Sequence, residues 1–364
     1  MIYFSIHLPT KKVPQAGHKI CHNHLKNLAK NHEVHLLSQV NQAEEKHKKE
    51  SDFSFCASCK FIDITNRDRF LNFLTHPLLP FRVAIRCNKQ TIHEIKSILA
   101  DHDISEVFIE YEQGAFVLPF VGDNVRKTVV FHDVLSQYVQ RKINFEKKYS
   151  LLRFLYYLEL IHTKHWEKKL LKTVDRAIVF SEKDKSLLVE MGGNPSNIVV
   201  EHPYVDEMFY NIKRDRYDPY TILFWGALDR SVNEDGMLWF LKQVYPLVIK
   251  ENPNIKLVIL GANPSKNLLK FASQNISIPG FVADPIPYFE KASLAIAPIK
   301  VGAGIKIKVL EFMAANIFTV CTSVAVEGIT FNKTQLAVAD TEHEFAHHII
   351  TNLNLCNESA RVNQ

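Results

Sequence analysis

The sequence predicts an α/β protein built from two Rossmann-like, doubly wound parallel-sheet domains facing each other across a cleft. Three observations predict it. At 364 residues the chain exceeds what one ordinary core accommodates, which points to two domains. Short β-branched or aromatic runs alternate with longer helical stretches, the rhythm of βαβ units. That rhythm breaks once, near residue 203, and then begins again.

The first half opens with a strand at "MIYFSI", a helix over "HKICHNHLKNLAK" and a strand at "HEVHLLSQV". Further strands are expected at "KFIDI", "EVFIEY", "KTVVFHD" and "RAIVFS", with helices around 90 to 100 and 146 to 172. The stretch "HPYVDEMFYNIKRDRYDPY" has two prolines, clustered charges and no period, so it marks the boundary. An N-terminal domain over 1–205 and a C-terminal domain over 206–364 follow. The second half then runs "TILFWGA", a helix over "GMLWFLKQVYPLVIKE", "KLVILGA", a helix near "KNLLKFASQ", "ISIPGF" and "LAIAPI". A glycine-containing loop, one more helix and the strands "FTVCTS" and "LAVAD" complete it. Ligands of such sheets sit outside the carboxyl ends of the strands, so the loops after each strand carry the function.

Composition narrows the classes. With 46% hydrophobic and 23% charged residues and no biased tract, the chain is expected to fold rather than stay disordered. A formal charge of +5 is far from the dense basic face of a nucleic-acid binder, so no nucleic-acid partner is expected. The start "MIYFSIHLPTKK" lacks the basic flank and longer apolar core of a signal peptide. No apolar run approaches the roughly 18 residues of a membrane span. A cytoplasmic protein is expected, with any membrane contact peripheral. Six cysteines then read as reduced thiols, and Cys56 and Cys59 form a single C-x-x-C without the second pair that zinc would need, so no metal site is expected.

The densest chemistry lies in "KVGAGIKIKVLEFMAANIFTVCTSVAVEGI", residues 300–329. Gly302 and Gly304 follow the strand "LAIAPI" and precede a helix with Ile307, Leu310 and Ala314 on one face, joined by Val309 and Met313. Glycine lets backbone approach a ligand, and a helix start offers unpaired N–H groups and positive dipole, a combination that seats phosphate. Lys306 or Lys308 would add charge toward a diphosphate, and Glu311, one turn beyond Lys308, could accept hydrogen bonds from sugar hydroxyls. The plainer alternative is a turn with solvated lysines and a Lys308–Glu311 pair at i, i+3. His132, at the end of "KTVVFHD", is by itself an ordinary capping or surface residue. Residues 141–172 hold nine Lys/Arg against three Glu, with Phe145, Tyr149, Phe154, Tyr156, Tyr157 and Trp166 among them. Such a basic, aromatic helix can lie on anionic lipid, or its aromatic face can pack on the sheet.

The segment "GAGIKIKVLEFMAA...VCTSVAVEGI" resembles the donor-site motif of family 4 (group 1) glycosyltransferases of the GT-B fold, in which G-x-G-x-x-x-K-x-L-E-A-x-A leads to TS-x-x-x-EG-I. Upstream, "FWGALDRSVNEDGMLWF" is similar to the segment that opens the C-terminal domain of that family, including Gly226, Asp229, Asn233, Asp235, Trp239 and Phe240. "PQAGHKICHNHLKNLAKNHEVHLLS" resembles its glycine loop and first βαβ unit, and "VDRAIVFSEKDKSLL" the segment before its linker, so the resemblance covers roughly residues 1 to 350.

The resemblance implies a retaining, metal-independent glycosyltransferase without a cofactor. A nucleotide-diphosphate sugar donor would sit on the C-terminal domain, and a saccharide or lipid-linked saccharide acceptor on the N-terminal one. Surface polysaccharide or glycoconjugate synthesis, with peripheral contact to the inner face of the cell membrane, is the implied setting. Glu311 would bind the ribose, Lys308 and the Gly302–Gly304 backbone the phosphates, and His132 would stand near the reacting sugar carbon. Gly17, in the first strand–helix loop, would let that loop approach the donor phosphates or the acceptor. His18, Glu110 and Glu112 are weaker acceptor-side candidates, read first as solvated loop residues.

Two departures stand out. Ala303 occupies the place of the first glutamate in the E-x7-E signature, and Gly226 is followed by Ala227 where many members have arginine. Arg230, Lys306 and Lys308 remain as charge for the diphosphate. Two alternatives share the architecture: a nucleotide-sugar epimerase, and a noncatalytic GT-B-like partner-binding subunit, for which the Ala303 departure and the short C-terminus argue. A Rossmann dehydrogenase is disfavoured, because "HLPTKKVPQAG" follows the first strand where G-x-G-x-x-G would stand.

Overall fold

The structure, a computed structural model, describes residues 1–13, 15–215 and 217–362, with 355–362 as backbone only. Contacts divide the chain into two units, Met1–Tyr204 and Val205–Gln364.

The first unit holds a seven-stranded parallel sheet: β1 (Ile2–Ser5), β2 (His35–Val40), β3 (Ser58–Asp63), β4 (Glu106–Glu110), β5 (Arg126–Phe131), β6 (Arg176–Val179) and β7 (Ile198–Val200), in the order β3-β2-β1-β4-β5-β6-β7. Its helices are α1 (Ala16–Leu28), α2 (Asn66–Thr75), α3 (Phe81–Ala84), α4 (Lys89–Asp101), α5 (Leu135–Phe145), α6 (Leu151–Leu171) and α7 (Glu182–Glu190). Every residue of β1 and β2 is buried. Covering a parallel sheet on both faces removes any need for polar alternation, and the polar residues that β2 does carry, His35, Ser38 and Gln39, are buried with hydrogen-bond partners.

The second unit repeats the plan with β8 (Asp218–Trp225), β9 (Lys256–Leu260), β10 (Ile276–Gly280), β11 (Ala292–Ala297), β12 (Thr319–Cys321) and β13 (Leu336–Val338), ordered β10-β9-β8-β11-β12-β13. Around it lie α8 (Glu207–Tyr210), α9 (Ser231–Trp239), α10 (Tyr245–Glu251), α11 (Lys266–Leu269), α12 (Ile286–Lys291), α13 (Ile307–Ala314) and α14 (Glu342–Val362). Both sheets start in the middle, run to one edge and return to build the other side. The winding reverses between β1 and β4 and again between β8 and β11, and loops that leave those strands in opposite directions open a crevice in each unit. Two doubly wound parallel-sheet units of this kind make up the GT-B architecture.

Three local features differ from the expectation. The helix expected over 146–172 begins only at Leu151, because α5 ends at Phe145 and the Ser150 hydroxyl accepts the Arg153 amide at 3.1 Å to cap α6 afresh. The helix expected over 236–251 carries one π-helical turn at Phe240–Val244 between α9 and α10. Pro246 follows directly and has no amide to donate, so the wider turn absorbs the missing bond. Strand β7, Ile198–Val200, is an additional strand that pairs with β6 at the sheet edge, directly before the boundary segment.

Glu112 is not a solvated loop residue. It is buried together with Glu167 of α6 against the first turn of α5, where Glu112 Oε1 accepts the Leu135 amide at 3.2 Å and Glu167 Oε1 accepts the Ser136 amide at 3.1 Å. Burial raises both carboxyl pKa values, with the charges of Glu167 and Asp133 adding to the rise at Glu112 and that of Asp133 at Glu167. A folded pKa above the unfolded one means stability present below the ordinary glutamate range and lost as pH rises through the shifted value. Glu167→Gln is therefore expected to flatten the fall of the thermal unfolding midpoint between about pH 5 and pH 8. An unchanged profile would show that the pair is ionised at no cost.

Candidate functional site

In the first unit the polar groups gather where the strands end. Glu110 closes β4 and is fully buried; its carboxylate accepts from the Tyr3 hydroxyl at 2.9 Å, His24 Nδ1 at 2.6 Å and His132 Nε2 at 2.7 Å. Burial by itself would raise the pKa of this acid, but the charges and hydrogen bonds of His24 and His132 outweigh it and hold the carboxyl well below its usual range. Burial likewise opposes a charged His24, and Glu110 overcomes it to raise that histidine.

A second carboxylate repeats the device. Glu44 Oε1 meets His18 Nε2 at 2.7 Å and His7 Nδ1 at 2.9 Å, while Oε2 accepts the Asn41 amide at 3.0 Å. Against the opposing effect of burial, these bonds keep Glu44 ionised. His7 is pushed down to about 3 by burial and by the charge of Arg86. Arg86 donates to the Ile6 carbonyl at 2.9 Å and approaches His7 Nε2 at 3.3 Å, which leaves the proton of a neutral His7 on Nδ1, facing Glu44. Among the described residues two triads could present metal-ligating atoms within 4.8 Å of one another, His7–His18–Glu44 and Cys21–Glu110–His132. Both are already matched by internal hydrogen bonds, and burial pushes the Cys21 thiol up, away from the thiolate a metal takes.

Tyr111 binds the two clusters together. Its φ of +70° is a conformation that a bulky residue adopts only under constraint. Its ring stacks on His132 with centroids 3.7 Å apart and meets His7 edge-on at 5.4 Å. Gly17 lies in the first turn of α1, not in a loop, and a Cβ there would stand 2.1 Å from the Tyr111 hydroxyl. The glycine thus makes room for Tyr111. His18 and Glu110, like Glu112, are buried rather than solvated.

In the second unit the crevice is built at the ends of β8 and β11. Gly226 follows β8 with φ +153°, and its amide donates to the Leu260 carbonyl at 3.0 Å. A Cβ on Gly226 would come 2.5 Å from Lys308 Nζ. Lys308, in the first turn of α13, donates to Asn233 Oδ1 at 2.7 Å and sits 4.2 Å above the Phe224 ring, and Asn233 in turn donates to the Ala227 carbonyl at 2.6 Å. Burial first, then the charge of Arg230, lowers the Lys308 pKa to about 7. Arg230 itself is exposed at the start of α9.

Glu311 is buried, and its Oε2 accepts the Trp225 indole N–H at 2.8 Å. The i, i+3 alternative, in which Glu311 simply serves Lys308, gives way to this arrangement. Lys306 folds back over the loop, donating to the Ala303 carbonyl at 3.0 Å and to that of Gly304, whose φ is +65°. A Cβ on Gly302 would be 3.2 Å from Lys306 Cε. The buried side of α13 also differs from expectation: Val309 and Phe312 go inward with Glu311, while Ile307, Leu310 and Ala314 are half-buried. Phe312 packs on Phe289 at 5.4 Å, and that contact fixes the helix rotation.

Gly226, Lys308 and Glu311 are thus brought together, with Gly302, Ala303, Gly304 and Lys306 in the adjoining loop and Arg230 on the rim. Trp225, Tyr111, Glu44 and His7 escaped the sequence reading. Trp225 lies next to a glycine at a strand end, the one local signal available, and the others have no signal short of the fold.

Residues 219–354 match the family described as "Glycosyl transferases group 1". Over that span, less than half of the chain, the second unit is similar to group 1 glycosyltransferases. A curated relative, an uncharacterized 44.6 kDa protein in a cps region of Klebsiella pneumoniae, is 32% identical over 230 residues, which cover 59% of this chain and 57% of that one. The match therefore spans less than two thirds of the relative's length. Among solved structures, HepE of Anabaena in complex with UDP-glucose superposes with a TM-score of 0.64 at 11% identity, over 99% of this chain and 90% of that one. Sucrose-phosphate synthase from Thermosynechococcus elongatus gives 0.69 at 13% over 98% and 90%. WaaG, a glycosyltransferase involved in lipopolysaccharide biosynthesis, gives 0.62 at 13% over 97% and 90%. At these identities the likeness is one of fold, and it is the GT-B fold.

In most helices a glycine-to-alanine change stabilises by roughly 0.5–1 kcal/mol. Gly17→Ala here is expected to destabilise instead, by about 1–3 kcal/mol, since the methyl meets a tyrosine pinned by His132. Adding Tyr111→Phe should recover most of the loss in urea denaturation. Equal losses in the single and double variants would remove the Tyr111 contact as the cause.

Proposed function

We propose that this protein is a cytoplasmic, retaining glycosyltransferase that moves a sugar from a nucleotide-diphosphate sugar to an acceptor hydroxyl without a metal ion, in the synthesis of a cell-surface polysaccharide or glycoconjugate. One observation carries the reading: Lys308, backed by Asn233 and closed against Gly226, stands one helical turn from Glu311 at the carboxyl end of the second sheet. That places a cation suited to phosphate beside a carboxylate suited to ribose hydroxyls. The printed names of similar proteins lend support. HepE was solved with UDP-glucose, WaaG serves lipopolysaccharide biosynthesis, and the Klebsiella relative comes from a cps region.

In this reading Glu311 binds the ribose, held in orientation by Trp225. Lys308, Lys306, Arg230 and the Gly302–Ala303–Gly304 backbone receive the diphosphate, with Gly226 leaving space for it. His132 contacts the transferred sugar. The bond from the anomeric carbon to the diphosphate oxygen breaks, the acceptor oxygen bonds to the same face of that carbon, and the acceptor proton passes to the leaving diphosphate. Charge grows on that leaving group, so cations fixed in place beforehand supply the main stabilisation. The acceptor, a saccharide or lipid-linked saccharide, belongs to the first unit.

Lys308 gives the proposal a pH signature. With its pKa at about 7 before binding, the side chain is partly neutral near neutrality, and a diphosphate alongside would raise that pKa. Binding then takes up a proton and weakens as pH rises above 7. Calorimetry of nucleoside diphosphate binding in buffers of different ionisation enthalpy should show this uptake near pH 8, and Lys308→Met should abolish it. Binding with no proton exchange would show Lys308 to be already charged.

The donor site itself is tested by thermal shift with UDP, GDP, ADP, CMP and NAD, each with and without EDTA. A single nucleoside diphosphate is expected to stabilise the protein by about 2.7 kcal/mol at about one hundred times its Kd. The shift should survive EDTA and shrink in Glu311→Gln. Stabilisation by none of them would overturn the catalytic reading.

A further inference from the structure

The first unit carries a large apolar surface that its own core does not use. Helix α2 buries none of its residues, although Phe70, Leu71, Phe73 and Leu74 lie along it, and Leu78 just beyond is 82% exposed. A capping box between Thr65 and Asp68 sustains this helix with no core behind it. The turn between α5 and α6 leaves Tyr149 at 91% and Leu151 at 73% exposure, and the first half of α6 adds Phe154, Leu155, Leu158 and Ile161. These pieces are one surface. Both carboxylate oxygens of Glu159 on α6 accept the Phe81 amide, at 2.9 and 3.0 Å, and the Phe81 ring meets Phe73 of α2 at 5.4 Å.

The face is edged with cations. Arg67 lies exposed on α2, Lys147 and Lys148 on the turn, and Lys164 and Lys168 farther along α6, against Asp68, Glu146 and Glu159 as the acids of the same stretch outside the core. Lys148 and Arg153 flank an open groove of about 470 Å³ lined by Tyr149, Phe154 and Tyr157. Lys148 Nζ lies 5.5 Å from the Tyr149 ring centroid and the Arg153 guanidinium 5.9 Å from that of Tyr157. Apolar side chains in a field of cations, with aromatic rings between them, match the boundary between acyl chains and anionic headgroups. Among the described residues no helix is long and apolar enough to cross a bilayer. A second copy of the chain fits less well, because a two-fold contact would set one basic rim against the other.

We infer that α2, the α5–α6 turn and the first half of α6 dock this protein on an anionic lipid bilayer. The phenylalanine and leucine side chains enter the acyl boundary, while Lys147, Lys148 and Arg153 engage headgroup phosphates. The inference rests on the first unit alone and stands independently of the glycosyltransferase reading. It also goes beyond the sequence, which offered the basic segment 141–172 and gave no sign of α2 or Leu78.

Sedimentation of the full chain with phosphatidylcholine vesicles, with and without phosphatidylglycerol, tests it. Binding is expected only with phosphatidylglycerol and should weaken as salt is added. Lys147→Gln and Lys148→Gln should each lower partitioning roughly fivefold. Phe70→Ser with Leu74→Ser, and separately Leu151→Ser with Phe154→Ser, should each reduce it further while leaving the thermal midpoint unchanged, since all four side chains are exposed. Absence of binding to phosphatidylglycerol vesicles would overturn the inference. So would apolar variants that bind as the natural chain does, or light scattering that shows a dimer lost in those variants without vesicle binding.

Discussion

A parallel sheet covered by helices on both faces buries its strands, so a polar side chain within them needs an internal partner, and this constraint arranges the rest of the molecule. Gln39 has that partner in Thr91, and Thr128 in Glu106. Polar chemistry is displaced to the strand ends, and the winding of each sheet decides which ends open a crevice. In the first unit these are the ends of β1, β4 and β5, which carry His7, Glu110, Tyr111 and His132. In the second they are the ends of β8 and β11, which carry Trp225, Gly226 and the loop into α13. The same architecture therefore yields two sites of different character, set by what each loop supplies.

The first site is balanced internally. Two buried carboxylates, Glu44 and Glu110, each hold two histidines, so the cost of burying charge is offset by charge-assisted hydrogen bonds. Tyr111, in a strained backbone conformation, locks the two halves together through ring contacts. The second site is held in the opposite state. Lys308 is desolvated, beside another cation and bonded to a neutral amide, so its electrostatic demand is met only in part by the protein. With Arg230 and Lys306 acting on Lys308 against the single carboxylate of Glu311, the site carries positive charge suited to an anion, and that asymmetry between the two units underlies the proposed division into a donor side and an acceptor side.

The periodic alternation of apolar runs and helical stretches was enough to read two doubly wound sheets, because each strand of a parallel sheet is a short apolar block and each crossover is a helix. The glycine loop, Lys308 and Glu311 were also legible, since their spacing within about one turn is local. What was not legible depended on distance along the chain. Trp225 and Glu311 are 86 residues apart, and nothing in either neighbourhood announces their bond. Gly17 looked like a loop residue until the fold brought Tyr111 over α1. The rotation of α13 was misjudged because six apolar residues cover most of its circumference, and the burial of Val309 and Phe312, the latter against Phe289, chose among them.

By itself, then, the sequence determined the fold class, the order of the strands along the chain and the local grouping of glycines, lysines and a glutamate after β11. Tertiary structure alone decided which side chains share a proton or a charge, which glycines are required, and that α2 leaves its apolar residues outside the core. The physical reason is one of range. Hydrophobic period and backbone capping act over a few residues and leave their mark in the sequence. Desolvation and charge pairing act between groups that become neighbours only when the sheets close, and so they are written in the fold.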